Sequence, residues 1–403
     1  MKKQPKQKQL KQYQEKKEQK KTNDGIEIYE TFESMGLKEE ILKGIYHQGY
    51  TKPSPIQQRA IVPIIKGFDV IAQSQSGTGK TATFSTGILQ LVEPQKKEVQ
   101  VIIISPTREL AIQSERVLNG LSQYLTVQIK ACIGGKSEKE DVKAIERGCQ
   151  IISGTPGRIY ALIKKRVLNV KHIKAIVIDE ADQILNQGFN QTIYDIFQYL
   201  PSQKQIILIS ATMTSEIIEI TERLMNKPLK ILIKKEEISV KEIKQYYVQL
   251  NKEDEKFDTL CEIYDSMTIT QSVIFCNMKK KVDWLTENMQ KNNFPVISIH
   301  SEMPQQERDY IMNVFRKGEK RVLITTDIWA RGIDVTQISL VINYDLPLQK
   351  ETYIHRIGRS GRFGRSGVAI NFVVKNEIQE IKDLEKYYSI HIDQLPKDFD
   401  TLL

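Results

Sequence analysis

One short stretch, Ser74-Gln75-Ser76-Gly77-Thr78-Gly79-Lys80-Thr81, constrains this chain more than any other. The apolar run Asp69-Val70-Ile71-Ala72 precedes it and Ala82-Thr83-Phe84 follows, which is the order strand, glycine-rich loop, helix. Gly77 and Gly79 have no side chain to block a phosphate, so backbone N–H groups can close around one at the positive end of a helix. Lys80 can reach the β- and γ-phosphates of ATP, and the Thr81 hydroxyl can ligate Mg²⁺. Loops of this kind usually open on Gly, whereas this one opens on Ser74.

Such a loop needs a parallel sheet, and the chain supplies two stretches that read as one. From about Gly25 to Ile233, apolar runs alternate with helical segments: Val101–Ile104, Gln150–Ile152, Ala175–Ile178 and Gln205–Ile209. Near-continuous β-branched runs indicate parallel strands covered on both faces, with the site at their carboxyl ends. Residues 234–244 turn charged and read as a linker. The alternation then resumes at Gln245–Leu250, Ser272–Cys276, Val296–Ile299, Arg321–Thr325, Leu340–Asn343 and Val368–Val373, without a second glycine-rich loop. The expectation is an α/β fold: domain 1 over 25–233, domain 2 over 245–403, and one nucleotide site completed across the cleft between them.

Length and charge fit that division. A chain of 403 residues is too long for one ordinary core. With 40% apolar and 27% charged residues it reads as soluble and globular. No apolar run approaches the ~18 residues of a membrane span. Residues 1–21 hold nine Lys and two Glu, so they carry seven of the nine net positive charges. Residues 1–24 therefore read as a disordered basic tail, either solubilising or acting as an RNA tether or nuclear address, and any polyanion site in the body must be a local groove. Cys132, Cys149, Cys261 and Cys276 are scattered and read as free thiols of a reducing compartment.

The run Ala175–Ile178 delivers Asp179-Glu180-Ala181-Asp182. Asp179 suits the Mg²⁺ shell and Glu180 the orientation of an attacking water. Acids after a strand also serve as plain helix caps; beside Lys80 and Thr81 the catalytic reading takes precedence.

These four letters, with the segments that follow, resemble the DEAD-box RNA helicases, from about Phe32 to Phe372. The resemblance implies two tandem RecA-like domains, each a mostly parallel sheet flanked by helices. It makes Phe32, Tyr50, Lys52 and Gln57 an adenine-reading segment. A Gln amide can pair with adenine and an aromatic ring can stack on it, although a surface amide in a Pro-rich turn would look the same. Pro106-Thr107-Arg108, Gly134-Gly135 and Thr155-Pro156-Gly157-Arg158 resemble the family's first-domain RNA contacts. Thr hydroxyls, helix-start N–H groups and an Arg fork can grip phosphates without reading bases. Ser210-Ala211-Thr212 resembles the segment that couples hydrolysis to RNA release, and Asp182, His355 and Arg356 join it.

In domain 2 the resemblance assigns Thr326 to an RNA phosphate, Asp334 to the ribose, and Arg359 and Arg362 to arginine fingers at the γ-phosphate. Asn277 and Arg308 match weaker RNA-side segments. Ser301 stands where the family usually has Gly, and Gln183 where relatives often carry Glu. Within the family the chain is most similar to initiation factor four-A, above all its third paralogue and the rRNA-maturation relative.

The resemblance thus implies an RNA-stimulated ATPase that clamps and locally unwinds RNA, monomeric on its own, off membranes and regulated by protein partners. It places the chain in the nucleus, possibly the nucleolus, with the cytoplasm as alternative. Other readings are an ATP-locked RNA clamp whose partners delay hydrolysis, a translation-initiation helicase, and a DNA translocase. Aromatic residues make up only 7% of the chain, which favours a backbone grip over base stacking.

Overall fold

The computed structural model describes residues 25–74, 78–213, 215–232, 243–267, 269–330, 338–360, 367–396 and 398–399. The basic tail, Gln75, Ser76, Gly77, Asp334 and Arg362 lie outside the described residues.

The first sheet comprises β1 (Val70–Gln73), β2 (Val101–Ile104), β3 (Ile129–Cys132), β4 (Ile151–Gly154), β5 (Ala175–Ile178), β6 (Gln205–Ser210) and β7 (Leu229–Leu232). Its order is β3-β4-β2-β5-β6-β1-β7, and every pairing is parallel. Along β2 the side chains alternate between two cores. Val101 and Ile103 join the cluster under the Pro55–Ile65 and Lys80–Leu91 helices, while Ile102 and Ile104 join the opposite one. Burial on both faces is what the unbroken apolar runs demanded, and each such side chain contributes roughly 1.5–3 kcal/mol.

The second sheet repeats the plan with β8 (Ile243–Leu250), β9 (Gln271–Phe275), β10 (Val296–Ile299), β11 (Val322–Thr325), β12 (Ile338–Asn343), β13 (Gly367–Val374) and β14 (Asp393–Gln394). Its order is β10-β11-β9-β12-β13-β8-β14, again with every pairing parallel. These are the two RecA-like sheets expected. β8 opens at Ile243, inside the stretch read as linker, because Ile243 is buried beneath the sheet. Among the described residues, no helix is long and apolar enough to cross a membrane.

Candidate active site and nucleic-acid interface

Strand register sets the site. β1 and β6 pair with Gln73 opposite Ser210, and the Ser74 N–H carries the ladder on to the Ser210 carbonyl at 3.1 Å. Ser74 Oγ lies 2.6 Å from Thr78 Oγ1, and Ser54 Oγ donates to the Thr78 carbonyl at 2.7 Å. The unusual first residue therefore ties the phosphate loop to itself. Gly79 ends the loop at φ +90°, where a Cβ would come within 2.8 Å of Gln57 Nε2. Glycine is required there on both counts.

Lys80 opens the helix Lys80–Leu91 and is only 6% exposed. Its Nζ lies 2.9 Å from Glu180 Oε1, yet among the described residues no acceptor meets it in hydrogen-bonding geometry. A buried ammonium short of acceptors is a costly arrangement that a phosphate oxygen would relieve. The residues present thus fit a nucleotide phosphate.

The acids stand one strand away. The Asp179 N–H donates to the Ile104 carbonyl at 2.9 Å, fixing the end of β5 against β2. Burial first, and then the charge of Glu180, push the Asp179 carboxyl up to about 7, with Lys80 opposing. Asp179 and the Thr81 hydroxyl are hard oxygen donors of the kind Mg²⁺ takes, and a dication would return Asp179 to its ionised form. Glu180 adopts the left-handed conformation, φ 48° and ψ 54°. For a residue with a Cβ that costs about 1–3 kcal/mol, a cost typical of functional turns.

From Asp182 a polar relay leads to the neighbouring strand and to the other domain. Ser210 Oγ donates to the Thr212 carbonyl at 2.7 Å, and Thr212 Oγ1 donates to Asp182 Oδ2 at 3.1 Å. His355, buried on the domain 2 helix Lys350–Ile357, brings a ring nitrogen into this group. Carboxylate oxygens of Glu180 and Asp182 and that nitrogen all lie within 4.8 Å of one another. Arg359 follows one turn later, 3% exposed, its Nε donating to the His355 carbonyl at 3.1 Å.

Eight of the residues expected to grip RNA, Pro106, Thr107, Arg108, Gly134, Thr155, Gly157, Arg158 and Arg308, line one groove of about 650 Å³ between the domains. Thr107 caps its helix by accepting from the Leu110 N–H at 3.3 Å, whereas Thr155 opens the next helix without such a bond. A Cβ on Gly157 would meet nothing within 4 Å, so its backbone is open to an approaching ligand. Burial, then the charge of Arg308, hold Arg108 below the usual arginine range. Arg158 donates to Asp141 and to the Lys136 carbonyl. Ser301, the departure from the family's Gly, lines the same groove.

Other side chains of the expected set turn into domain 2. Asn277 does not line this groove. Its Nδ2 donates to the Leu346 carbonyl at 2.8 Å and its Oδ1 accepts from Arg356 at 2.7 Å. Arg356 is fully buried and its guanidinium is spent inside domain 2, on Asp327, Asn343, Asn277 and the Asp345 carbonyl. It ties the Asp327 segment, next to Thr326, to the His355 helix. Thr326 itself sits two residues from Ile328 of the groove and is not part of its lining.

Arg308, besides lining the groove, forms a buried pair with Glu109 of domain 1 at 3.0 Å. Arg108 and Arg308 both donate to Gln305 Oε1, so the two domains are latched at the groove's edge. Gly135, at φ +79°, has no room for a Cβ because Arg108 Nη1 would lie 2.5 Å away.

In the segment expected to read adenine, Gln57 is buried rather than a surface amide. Its Oε1 accepts from the Ser54 N–H at 2.8 Å in a capping box, leaving the amide nitrogen facing the phosphate loop. Phe32 is 2% exposed, edge-on to Tyr46 in the core, so in this conformation its face is not open for stacking. Tyr50 is half-buried and Lys52 exposed.

Sequence reading missed Glu109, Gln187, Phe189 and Ile328. Glu109 directly follows the run Pro106-Thr107-Arg108 read as a phosphate grip, and an acid beside a phosphate site was itself a signal of a cationic partner.

Two RecA-like domains with one phosphate loop and an arginine-lined groove between them are the architecture of an ATP-driven motor. Comparison with known proteins narrows that class. Residues 54–220 match the DEAD/DEAH box helicase family and residues 255–364 the helicase conserved C-terminal domain. The chain is 55% identical over 382 residues to eukaryotic initiation factor 4A-III homolog B of Oryza sativa subsp. japonica, covering 95% of each. It is 56% identical over 383 residues to the ATP-dependent RNA helicase FAL1 of Lodderomyces elongisporus, covering 95% of this chain and 96% of that one. Among solved structures, S. cerevisiae Dbp5 bound to RNA and ADP BeF3 superposes with a TM-score of 0.86 at 37% identity, over 93% of this chain and 98% of that one. The chain belongs to the DEAD-box ATP-dependent RNA helicases, which are ATP hydrolases, and matches the initiation factor 4A-III-like group within them.

Proposed function

We propose that the chain closes its two domains around ATP–Mg²⁺ and single-stranded RNA, hydrolyses ATP only when both are bound, and locally opens duplexes as it does so. The observation that carries this reading is the meeting of Glu180 and Asp182 from domain 1 with His355 from domain 2. Lys80 and the loop bind the phosphates, Thr81 and Asp179 hold Mg²⁺, and Gln57, Tyr50 and Lys52 face the base side. When bound, Mg²⁺ neutralises charge developing on the transferred phosphoryl group. Glu180 orients water and accepts its proton, Arg359 and Arg362 reach the γ-phosphate on closure, and Asp334 holds the ribose. Through Thr212, Asp182 and His355, any change beside the γ-phosphate is felt in domain 2 and so at the RNA groove. The groove's arginines and open backbone grip phosphates without reading bases, which supports little sequence preference.

The likeness to initiation factor 4A-III homologues and FAL1 supports work in nuclear or nucleolar RNA maturation, with protein partners that set the rate. The Dbp5 neighbour, bound to RNA and an ADP complex, supports the closed arrangement as the ligand-bound one.

Linkage tests the reading. If both ligands close the same cleft, single-stranded RNA should tighten a non-hydrolysable ATP analogue at least ~10-fold, and the analogue should tighten RNA by the same factor. Equal affinities with and without the second ligand would contradict it, and DNA serving as well as RNA would move the chain to the translocase reading.

A further inference from the structure

A second cavity, of about 690 Å³, lies wholly on domain 2. Five carboxylates line it against two lysines, Lys281 and Lys350. The lysines are already engaged: Lys281 with Asp345 at 2.6 Å and Glu253 at 2.9 Å, and Lys350 with Asp383 at 3.2 Å. Lys256, buried nearby, pairs with Glu253 at 2.8 Å. Glu380 has no ion-pair partner among the described residues. Burial first, then the like charges of Glu377 and Asp383, push its carboxyl up. On the cavity's lip Met278 is 60% and Leu348 88% exposed, an apolar pair that water wets at a cost. Surplus negative charge beside an apolar lip is complementary to a segment carrying both Lys and large apolar side chains.

The basic N-terminal tail is such a segment, and unlike residues 233–244, which mix Lys with Glu, its first 14 residues carry no acid. Between Lys2 and Asp24 the only large apolar side chains are Leu10 and Tyr13, set among Lys6, Lys8 and Lys11. The stretch joins the fold at Gly25. The 11 residues between Tyr13 and Gly25 form a tether that spans up to about 40 Å extended, and roughly 20 Å on average if flexible. The radius of gyration of a compact chain of this size is near 21 Å. A tether of that length sets an effective concentration near the millimolar range for a site within its span.

We propose that the Lys6–Tyr13 stretch docks in this cleft of its own chain, with lysines toward Glu380 and Leu10 and Tyr13 against Met278 and Leu348. Docking takes the basic tail away from RNA. It also bears on the active site, because Asp345 on the cleft wall accepts the Asn277 N–H at 2.9 Å and gives its carbonyl to Arg356 at 2.6 Å, one residue from His355. The tail is thus a built-in, salt-sensitive occupant of a partner-sized surface.

The test uses a fluorescent peptide of residues 1–21 and the chain lacking those residues. Saturable one-to-one binding is expected, weakening at least ~5-fold with Glu380→Lys, and similarly with Leu348→Ser or with a peptide carrying Leu10→Ser and Tyr13→Ser. Raising salt should weaken it further. Both protein substitutions are at exposed positions, so circular dichroism should show an unchanged fold. Binding indifferent to all three changes, or matched by a scrambled peptide of equal charge, overturns the proposal. In the full chain, sedimentation should show a monomer whose peptide affinity is reduced at least ~5-fold by the resident tail. A tail-dependent dimer, or no competition from the resident tail, overturns docking in cis.

Discussion

At the strand ends of domain 1, Lys80 and Asp179 stand ready for a ligand, while across the cleft the Arg356 guanidinium of domain 2 is fully engaged. Among the described residues Lys80 lacks an aligned acceptor, the Asp179 carboxyl is pushed up to about 7, and Glu180 sits in a strained backbone conformation. Across the cleft, Arg356 meets Asp327, Asn343, Asn277 and Asp345 with good geometry. The two sheets share a plan of seven parallel strands, so the difference lies in what their loops are for. One edge stores unmet valence for a ligand; the other is a finished frame that delivers His355 and Arg359 to it. Unmet valence predicts large functional effects with little loss of stability, and the finished frame the reverse.

The largest expected effect is on the unmet side. Glu180→Gln should lower RNA-stimulated hydrolysis by roughly 10²–10⁴-fold while ATP affinity stays within a few-fold, because the water loses its base. Near-normal turnover in single-turnover assays would remove Glu180 from that role. On the finished side, Arg356→Ala should cost domain 2 about 3–5 kcal/mol, since Asp327 loses its partner beside a buried, abandoned network. Arg356→Lys should rescue little, because an ammonium cannot span four acceptors. Denaturant unfolding reads this directly.

A smaller effect is expected where the domains meet. Arg308→Ala should weaken RNA-dependent ATP binding about tenfold without lowering the melting temperature of either domain, since the Glu109 pair exists only on closure. An unchanged affinity would make the pair a bystander. The smallest effect concerns pH. Asp179 is raised in the folded chain, to about 7 from an ordinary 3.8, so the unfolded chain releases its proton first. Stability from this group is present below pH ~4 and lost as pH rises toward 7. Asp179→Asn should therefore raise the melting temperature at pH 8 without Mg²⁺ or nucleotide, and the gain should vanish near pH 4. A gain independent of pH would point to packing instead.

How much of this was legible from residues alone follows from burial. The central strands β2, β5 and β6 announced themselves because both faces are apolar. The strands not foreseen, β3, β7 and β14, all lie at or next to a sheet edge that one neighbour covers. Lys130 and Lys230 interrupt the first two, as charged edges commonly do. Chemistry bound to backbone, such as Gly79 and the acids after β5, was readable from spacing. Chemistry bound to side-chain direction was not: Asn277 and Arg356 turn inward, and Arg308 crosses to Glu109, because partners distant in sequence claim them. The left-handed backbone of Glu180 had no sequence signal at all, since Asp-Glu is not a sequence that prefers it.

The most direct measurement of the central claim, one ATP site shared by two domains, is turnover and nucleotide affinity of Arg359→Ala and Arg362→Ala in the otherwise intact chain. Both residues lie some 280 positions beyond Lys80, on the domain without a phosphate loop. Each substitution should leave ATP affinity without RNA within a few-fold and lower RNA-stimulated kcat at least ~100-fold, because only the closed transition state uses the guanidinium. Turnover within a few-fold of the unmodified chain for both would contradict the shared site.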